Sequence, residues 1–172
     1  MRIYSGQVRL ISRDVIDDLK TSGHIDIEDE YYDEAVTDVE AVLREYIRTD
    51  REIHEEAREI ARARGGGNQT IHRIKRKLAR QRRFSYGDEA QEWIVEQMIE
   101  ILLYSGNIEE VYADDRDLRR AINKVLKRYT NVDDELEKEA RSKLKNLEEG
   151  SAAWDVEYEK LMGNLKKQKG LA

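Results

Sequence analysis

Two stretches of this chain match each other at a constant, ungapped spacing of 83 residues. Val42-Leu43-Arg44-Glu45-Tyr46 aligns with Val125-Leu126-Lys127-Arg128-Tyr129, and Ser22-Gly23-His24-Ile25 aligns with Ser105-Gly106-Asn107-Ile108. At the same spacing Asp50 meets Asp133, Glu52 meets Glu135, and Glu56-Ala57-Arg58 meets Glu139-Ala140-Arg141. Self-similarity at a fixed period marks a repeated supersecondary unit, and it restricts the fold before any local propensity is read. The chain therefore reads as a tandem duplication, with one helical repeat over 1–84 and a second over 85–172. The connector Arg82-Arg83-Phe84-Ser85-Tyr86-Gly87 is short and lacks proline, which favours one compact body over two separated ones.

The repeated unit is helical. The chain has no proline and one phenylalanine, with 40% charged and 39% hydrophobic residues, a balance typical of long amphipathic helices. Val8, Ile11, Val15 and Leu19 recur at three- and four-residue steps, which predicts a helix over about 7–21 stopped by Ser22-Gly23. Glycine beyond the last turn closes a helix in the left-handed conformation, with Ile25 as the accompanying apolar contact. Trp93, Ile94, Met98, Ile101 and Leu102, followed by Ser105-Gly106 and Ile108, predict the same helix and the same cap in the second repeat.

A longer periodic stretch follows each cap. Val36, Val39, Leu43, Tyr46, Asp50, Ile53, Ala57 and Ile60 form a heptad seam, which predicts one helix of about thirty residues. Ile122, Leu126, Tyr129, Asp133, Leu136 and Ala140 repeat the seam, with Leu144 and Leu147 extending it. The seam keeps its phase across Thr49-Asp50 and Asn131-Val132-Asp133, which predicts continuity. The competing reading breaks the helices there, because Thr, Asn and Asp are natural N-caps. Gly65-Gly66-Gly67-Asn68 and Gly150-Ser151 end the long helices. A last helix follows each, carrying Ile71, Ile74 and Leu78 in one repeat and Trp154, Tyr158, Leu161 and Leu165 in the other, with Lys77-Leu78 and Lys160-Leu161 again 83 residues apart. The expected fold is all-α: a duplicated short-long-medium helical unit packed as a pseudo-twofold helical bundle.

Several chemistries find no support in the sequence. There is no cysteine, hence no disulfide and no thiolate metal site. None of His24, His54 and His72 follows a glutamate at the spacing of a di-iron bundle. The acidic loop Asp26-Ile27-Glu28-Asp29-Glu30 lacks the central glycine of a calcium loop. Glu52 with Glu56 and Glu135 with Glu139 could face one another as an oxygen-rich cation site, but carboxylates one turn apart on a highly charged helix read better as a solvated face. No metal, no cofactor and no enzymatic activity are expected. The start of the chain lacks the apolar core of a signal peptide, and no run approaches the length of a membrane span. The expectation is a cytoplasmic protein without membrane contact.

Met1-Arg2-Ile3-Tyr4-Ser5-Gly6-Gln7-Val8, Asp38-Val39-Glu40-Ala41-Val42-Leu43-Arg44-Glu45-Tyr46, Gly87-Asp88-Glu89-Ala90 and Trp154-Asp155-Val156-Glu157-Tyr158-Glu159-Lys160 resemble a bacterial family known as domain of unknown function 507. The likeness spans essentially the whole chain. It implies a bacterial, cytoplasmic helical protein and carries over no functional residue.

Charge segregation supplies the sharpest functional candidate. From Asp26 to Glu59 there are fourteen carboxylates against four arginines, a net charge of −10. The stretch from His72 to Arg83 then carries Arg73, Lys75, Arg76, Lys77, Arg80, Arg82 and Arg83 and no acid. Such a helix can track phosphates, or it can neutralise the acidic helix beside it. Asp50 and Asp133 fall on the apolar seam, where a charge is costly unless paired. They form a polar seam that shares a site or fixes register, or they lie at an exposed edge or cap a broken helix. The first functional expectation is a non-enzymatic binding or assembly protein with an unknown protein partner, a homodimer through an uncovered seam included. The alternative is association with RNA or DNA through the basic helix 71–83.

Overall fold

The computed structural model describes residues 3–130, 132–149 and 151–171. Its α-helices are α1 (Val8–Thr21), α2 (Tyr32–Ala63), α3 (Asn68–Gln81), α4 (Ala90–Tyr104), α5 (Asp115–Thr130), α6 (Val132–Lys143) and α7 (Ala152–Gln168). Short 3-10 turns at Ser5–Gln7, Asp29–Tyr31 and Gly87–Glu89 lead into α1, α2 and α4. The class is all-α. Both α1 and α4 pack against α2 and α5, forming a four-helix body, while α3 folds back on α2 and α7 on α6. No described helix is long and apolar enough to cross a membrane.

Periodicity accounts for α2 from end to end. Val36, Val39, Leu43, Tyr46, Ile53 and Ala57 are each 5% exposed or less, and burying a large apolar side chain stabilises by about 1.5–3 kcal/mol. The helix runs unbroken through Thr49 and Asp50, because the packed stripe on both sides outweighs the weak preference of these residues for a cap. In the second half the same question falls on Asn131, which lies outside the described residues, as does the Asp133 side chain. Leu136 and Ala140 are fully buried in α6. The expected extension through Leu144 and Leu147 is corrected: α6 ends at Lys143, and Leu147 is 37% exposed.

The helix caps match expectation in one half only. Gly23 closes α1 at φ +72, with His24 N–H donating to the Leu19 carbonyl at 2.9 Å and Gly23 N–H to Lys20 at 3.1 Å. Gly65 closes α2 in the same way at φ +64. Gly106 does not: the residue ending α4 is Ser105, in an extended conformation. The Ser105 hydroxyl donates to Asp38 and accepts from Asn107 N–H, while the Asn107 amide donates to the same carboxylate at 2.9 Å. A side-chain partner on α2 replaces the glycine cap there. Gly150 lies outside the described residues.

A small ribbon, absent from the all-helical expectation, forms where the two acidic connections meet. Strands β1 (Ile25–Asp26) and β2 (Glu110–Val111) pair antiparallel, Ile25 opposite Val111 and Asp26 opposite Glu110. Ile25, Ile27 and Ile108 are buried; Ile25-Asp26-Ile27-Glu28 alternates apolar and acidic residues with the period of two that a strand requires, whereas Ile108-Glu109-Glu110-Val111 does not.

Both α3 and α7 end in the same hydrogen-bonded turn, at a spacing different from the one expected. Arg83 (φ +52) and Gly170 (φ +66) occupy equivalent left-handed positions. Phe84 N–H donates to Ala79 and Leu171 N–H to Lys166, each at 2.9 Å. Buried Leu78 thus corresponds to buried Leu165, a spacing of 87, and the 83-residue match of Lys77-Leu78 with Lys160-Leu161 does not extend to packing. The longer α6–α7 connection and the longer α7 absorb the difference. The turn after α3 leads into α4, whereas the turn after α7 brings Gly170 against Gly6, close enough that a side chain on Gly6 would collide with the Gly170 carbonyl.

The principal core draws buried residues from α1 through α5. A second cluster joins Leu136, Ala140 and Leu165 to Tyr4 and Leu171, and so ties the described ends of the chain to the α6–α7 hairpin.

Candidate anion-binding face

The rotation of α3 sorts its cations into two sets. Ile74 and Leu78 are buried against α2, and Ile71 is half-buried beside them. Lys75 and Arg82, seven residues or two turns apart, lie on the flank of this apolar face. Lys75 Nζ is 2.8 Å from Asp50 Oδ1 and 4.5 Å from the centre of the Tyr86 ring. Arg82 pairs with Glu56 and reaches Glu52 at 3.7 Å. These two cations neutralise part of α2.

Arg73, Arg76 and Arg80 project from the opposite face, Lys77 borders them on the flank away from Lys75, and Arg83 follows in the turn past the cap. All five are exposed, and among the described residues none has a carboxylate within 4.0 Å. The face is therefore a preformed row of five positive charges on a chain whose net charge is −6.

Asp50 sits inside α2 and caps no helix. Its side chain is 38% exposed and that of Lys75 12%, so the pair is an edge contact between α2 and α3 whose more hidden member is the lysine. Burial, followed by the nearby Asp50 carboxylate, pushes the Tyr46 phenol well above its ordinary range. Tyr129, the residue 83 positions further on, donates from its phenol to Asp14 Oδ2 at 2.6 Å. Burial and that hydrogen bond push Tyr129 up to about 12. Both tyrosines stay neutral at ordinary pH and offer no general base.

The α3 face rests on a tight aromatic cluster. Phe84 lies 5.2 Å, centroid to centroid, from both Tyr46 and Trp93, which are themselves 5.9 Å apart. Trp93 donates from its indole N–H to the Arg83 carbonyl at 3.1 Å. One ring each from α2, the connector and α4 thus fixes the end of the basic helix against the body.

The sequence reading missed two features. Glu40 is 6% exposed and accepts from Arg9 at 2.8 Å and Arg44 at 2.9 Å, a buried carboxylate bridging α1 and α2. The other is a cleft of about 470 Å³ between α3 and the connector. Of the carboxylates considered as a cation site, Glu52 pairs with Arg48 and Arg82, Glu56 with Arg82, and Glu139 with Lys143 and Lys169. Among the described residues no group of three or more potential ligands gathers around a metal position.

A family model described as a protein of unknown function (DUF507) matches residues 1–171. The chain belongs to this family. No curated protein matches it. For a DUF507 protein, the functional reading therefore rests on the arrangement of charge and surface rather than on a relative.

Where the two halves of this DUF507 chain differ, the surface chemistry differs too. Lys20 and Asp29 form an ion pair at 2.9 Å. The residues 83 positions on are Leu103 and Tyr112, 57% and 66% exposed, with Tyr104 beside them at 85%.

Proposed function

We propose that this is a non-enzymatic binding protein that engages the phosphate backbone of nucleic acid through Arg73, Arg76, Lys77, Arg80 and Arg83. The observation that carries this reading is the separation of the cations on α3 and its cap: Lys75 and Arg82 are paired with α2, while the other five are exposed and, among the described residues, have no carboxylate within 4.0 Å. Each phosphate contact releases condensed counterions, so binding by such a face depends steeply on salt. The face carries no phenylalanine, tyrosine or tryptophan, which suits backbone contact better than base reading. The test is titration of labelled generic RNA with the protein across a salt series. A log–log slope near zero would end the proposal.

A second reading keeps the protein-partner expectation and rests on Leu103, Tyr104 and Tyr112. Exposed apolar residues at the positions of an ion pair in the other half fit a small contact surface. The variant Leu103→Lys with Tyr112→Asp, which copies Lys20 and Asp29, is expected to fold with stability within about 0.5 kcal/mol of the parent, as surface changes do. If the parent self-associates in light scattering, this variant should be monomeric, and an unchanged oligomer would remove this surface from consideration. On either reading, we take the halves 1–84 and 85–172 to be copies of one ancestral unit whose surfaces have diverged.

A further inference from the structure

The cleft between α3 and the connector has two walls of opposite charge. Arg76 and Arg80 form one, while Asp88 and Glu89 stand on the other, with Ser85 and Tyr86 between them. Its base is apolar: Ala79 and Phe84 are 3% and 5% exposed. The cleft's volume of about 470 Å³ lies within the range of roughly 300–1,000 Å³ usual for small-ligand sites.

Here no pair within 4.0 Å bridges the walls among the described residues. The walls are held apart from below. Phe84 is locked into the aromatic cluster, and the Arg83 turn fixes the exit of α3. Lys75, over the Tyr86 ring, fixes that side chain from the α2 side. The result is a slot with cationic donors on one side, anionic acceptors on the other and an apolar floor.

That combination selects a ligand. A bare phosphate would meet Asp88 and Glu89 as repulsion, and an apolar molecule would leave four charged groups unused. A nucleotide uses every wall: its phosphate faces the guanidinium groups, its base rests on the apolar floor, and amino or hydroxyl hydrogens of base and ribose donate to the carboxylates. Arg76 and Arg80 belong to the cleft and to the exposed row at once, with Arg73 and Lys77 before them and Arg83 beyond. A strand whose phosphates follow that row delivers one of its bases to the slot. A base inside a duplex has its face stacked and its pairing edge occupied, so only an unpaired base enters. Resting on the nucleic-acid reading above, we propose that the cleft takes one unpaired nucleotide of a single strand whose flanking phosphates run along α3.

The test uses the full chain and a fluorescent single-stranded RNA twelve-mer, the blunt duplex of the same sequence, and AMP. The wild type is expected to bind the single strand about tenfold more tightly than the duplex, the scale of one base contact. The variant Asp88→Ala with Glu89→Ala removes two negative charges from beside the row. Pure charge attraction requires it to bind both RNAs more tightly. The slot requires it to lose about tenfold on the single strand, the scale of a hydrogen bond to a charged group, while duplex affinity holds or rises, and retained duplex binding also shows that the variant is folded. Equal affinity of the wild type for the two RNAs, or tighter single-strand binding by the variant, would overturn the slot and leave the phosphate-binding face standing. AMP binding as tightly as the strand would assign the slot to free nucleotides and overturn the strand proposal. Failure of both RNAs to bind would overturn the nucleic-acid reading itself.

Discussion

Glutamine at Arg73, Arg76, Lys77, Arg80 and Arg83 together is expected to reduce RNA binding to background without unfolding the protein. The wild-type slope follows from the number of phosphates neutralised, about −0.7 per contact on a single strand and −0.9 on B-form duplex DNA. With all five cations engaged, affinity falls roughly 100-fold for a single strand, and about 500-fold for a B-form duplex, between 50 and 200 mM salt. The five-glutamine variant should show almost no slope. Its melting temperature should match or exceed the parent's, because glutamine propagates a helix about as well as lysine or arginine and like charges three and four residues apart are relieved. The control is Lys75→Gln with Arg82→Gln. It removes positive charge from the same helix but from residues already paired to Asp50, Glu52 and Glu56. Binding should change little, while stability falls by about 1 kcal/mol through the lost α2–α3 contacts. If the control weakens RNA binding as much as the face variant does, bulk charge rather than the exposed row is responsible.

The division between these two sets is legible in the helical period rather than in the cation count. Counting cations from His72 to Arg83 treats seven residues as one patch. Placing them on the helical wheel defined by Ile71, Ile74 and Leu78 puts Lys75 and Arg82 beside the apolar face, Arg73, Arg76 and Arg80 opposite it and Lys77 on the other flank, with Arg83 beyond the helix. The same logic explains Asp50: it occupies a seam position of α2, and Lys75 reaches it from α3. Long stripes were legible because burial enforces their period over many turns, as in α2. Local details were less so. Gly23 and Gly106 look alike as caps, yet Ser105 finds Asp38 on another helix, a partner that no spacing within α4 reveals. The ribbon between β1 and β2 depends on two connections separated by more than eighty residues meeting at one end of the body. The cleft beside Phe84 depends on how far a turn holds two elements apart, a distance that composition does not encode.

Phe84→Ala is expected to be the most destabilising single change near the basic helix. The ring is 5% exposed and is the middle member of the cluster that joins α2, the connector and α4. Truncating a buried phenylalanine to alanine costs about 3–5 kcal/mol in lost transfer energy and residual cavity. The two aromatic contacts contribute beyond the area they bury. Against a total stability of roughly 5–15 kcal/mol, the loss should lower the melting temperature by about 10 °C. Phe84→Leu, which retains most of the volume but not the ring geometry, should cost less than half as much. A denaturant titration giving under 1 kcal/mol for the alanine variant would show that the cluster is not a support of the fold. The loss should also be uneven in space. Phe84 is the first buried residue after α3 and the anchor for the Arg83 turn, whereas α1 and α5 are held by Ile11, Val15, Ile122 and Leu126, all fully buried. Hydrogen exchange in Phe84→Ala should therefore accelerate first along Ile74–Gln81 and only later in α1 and α5. In that variant RNA binding should weaken in proportion to the opening of α3, even though every cation of the exposed row is still present, because the row binds phosphates only while the helix that spaces its charges is docked.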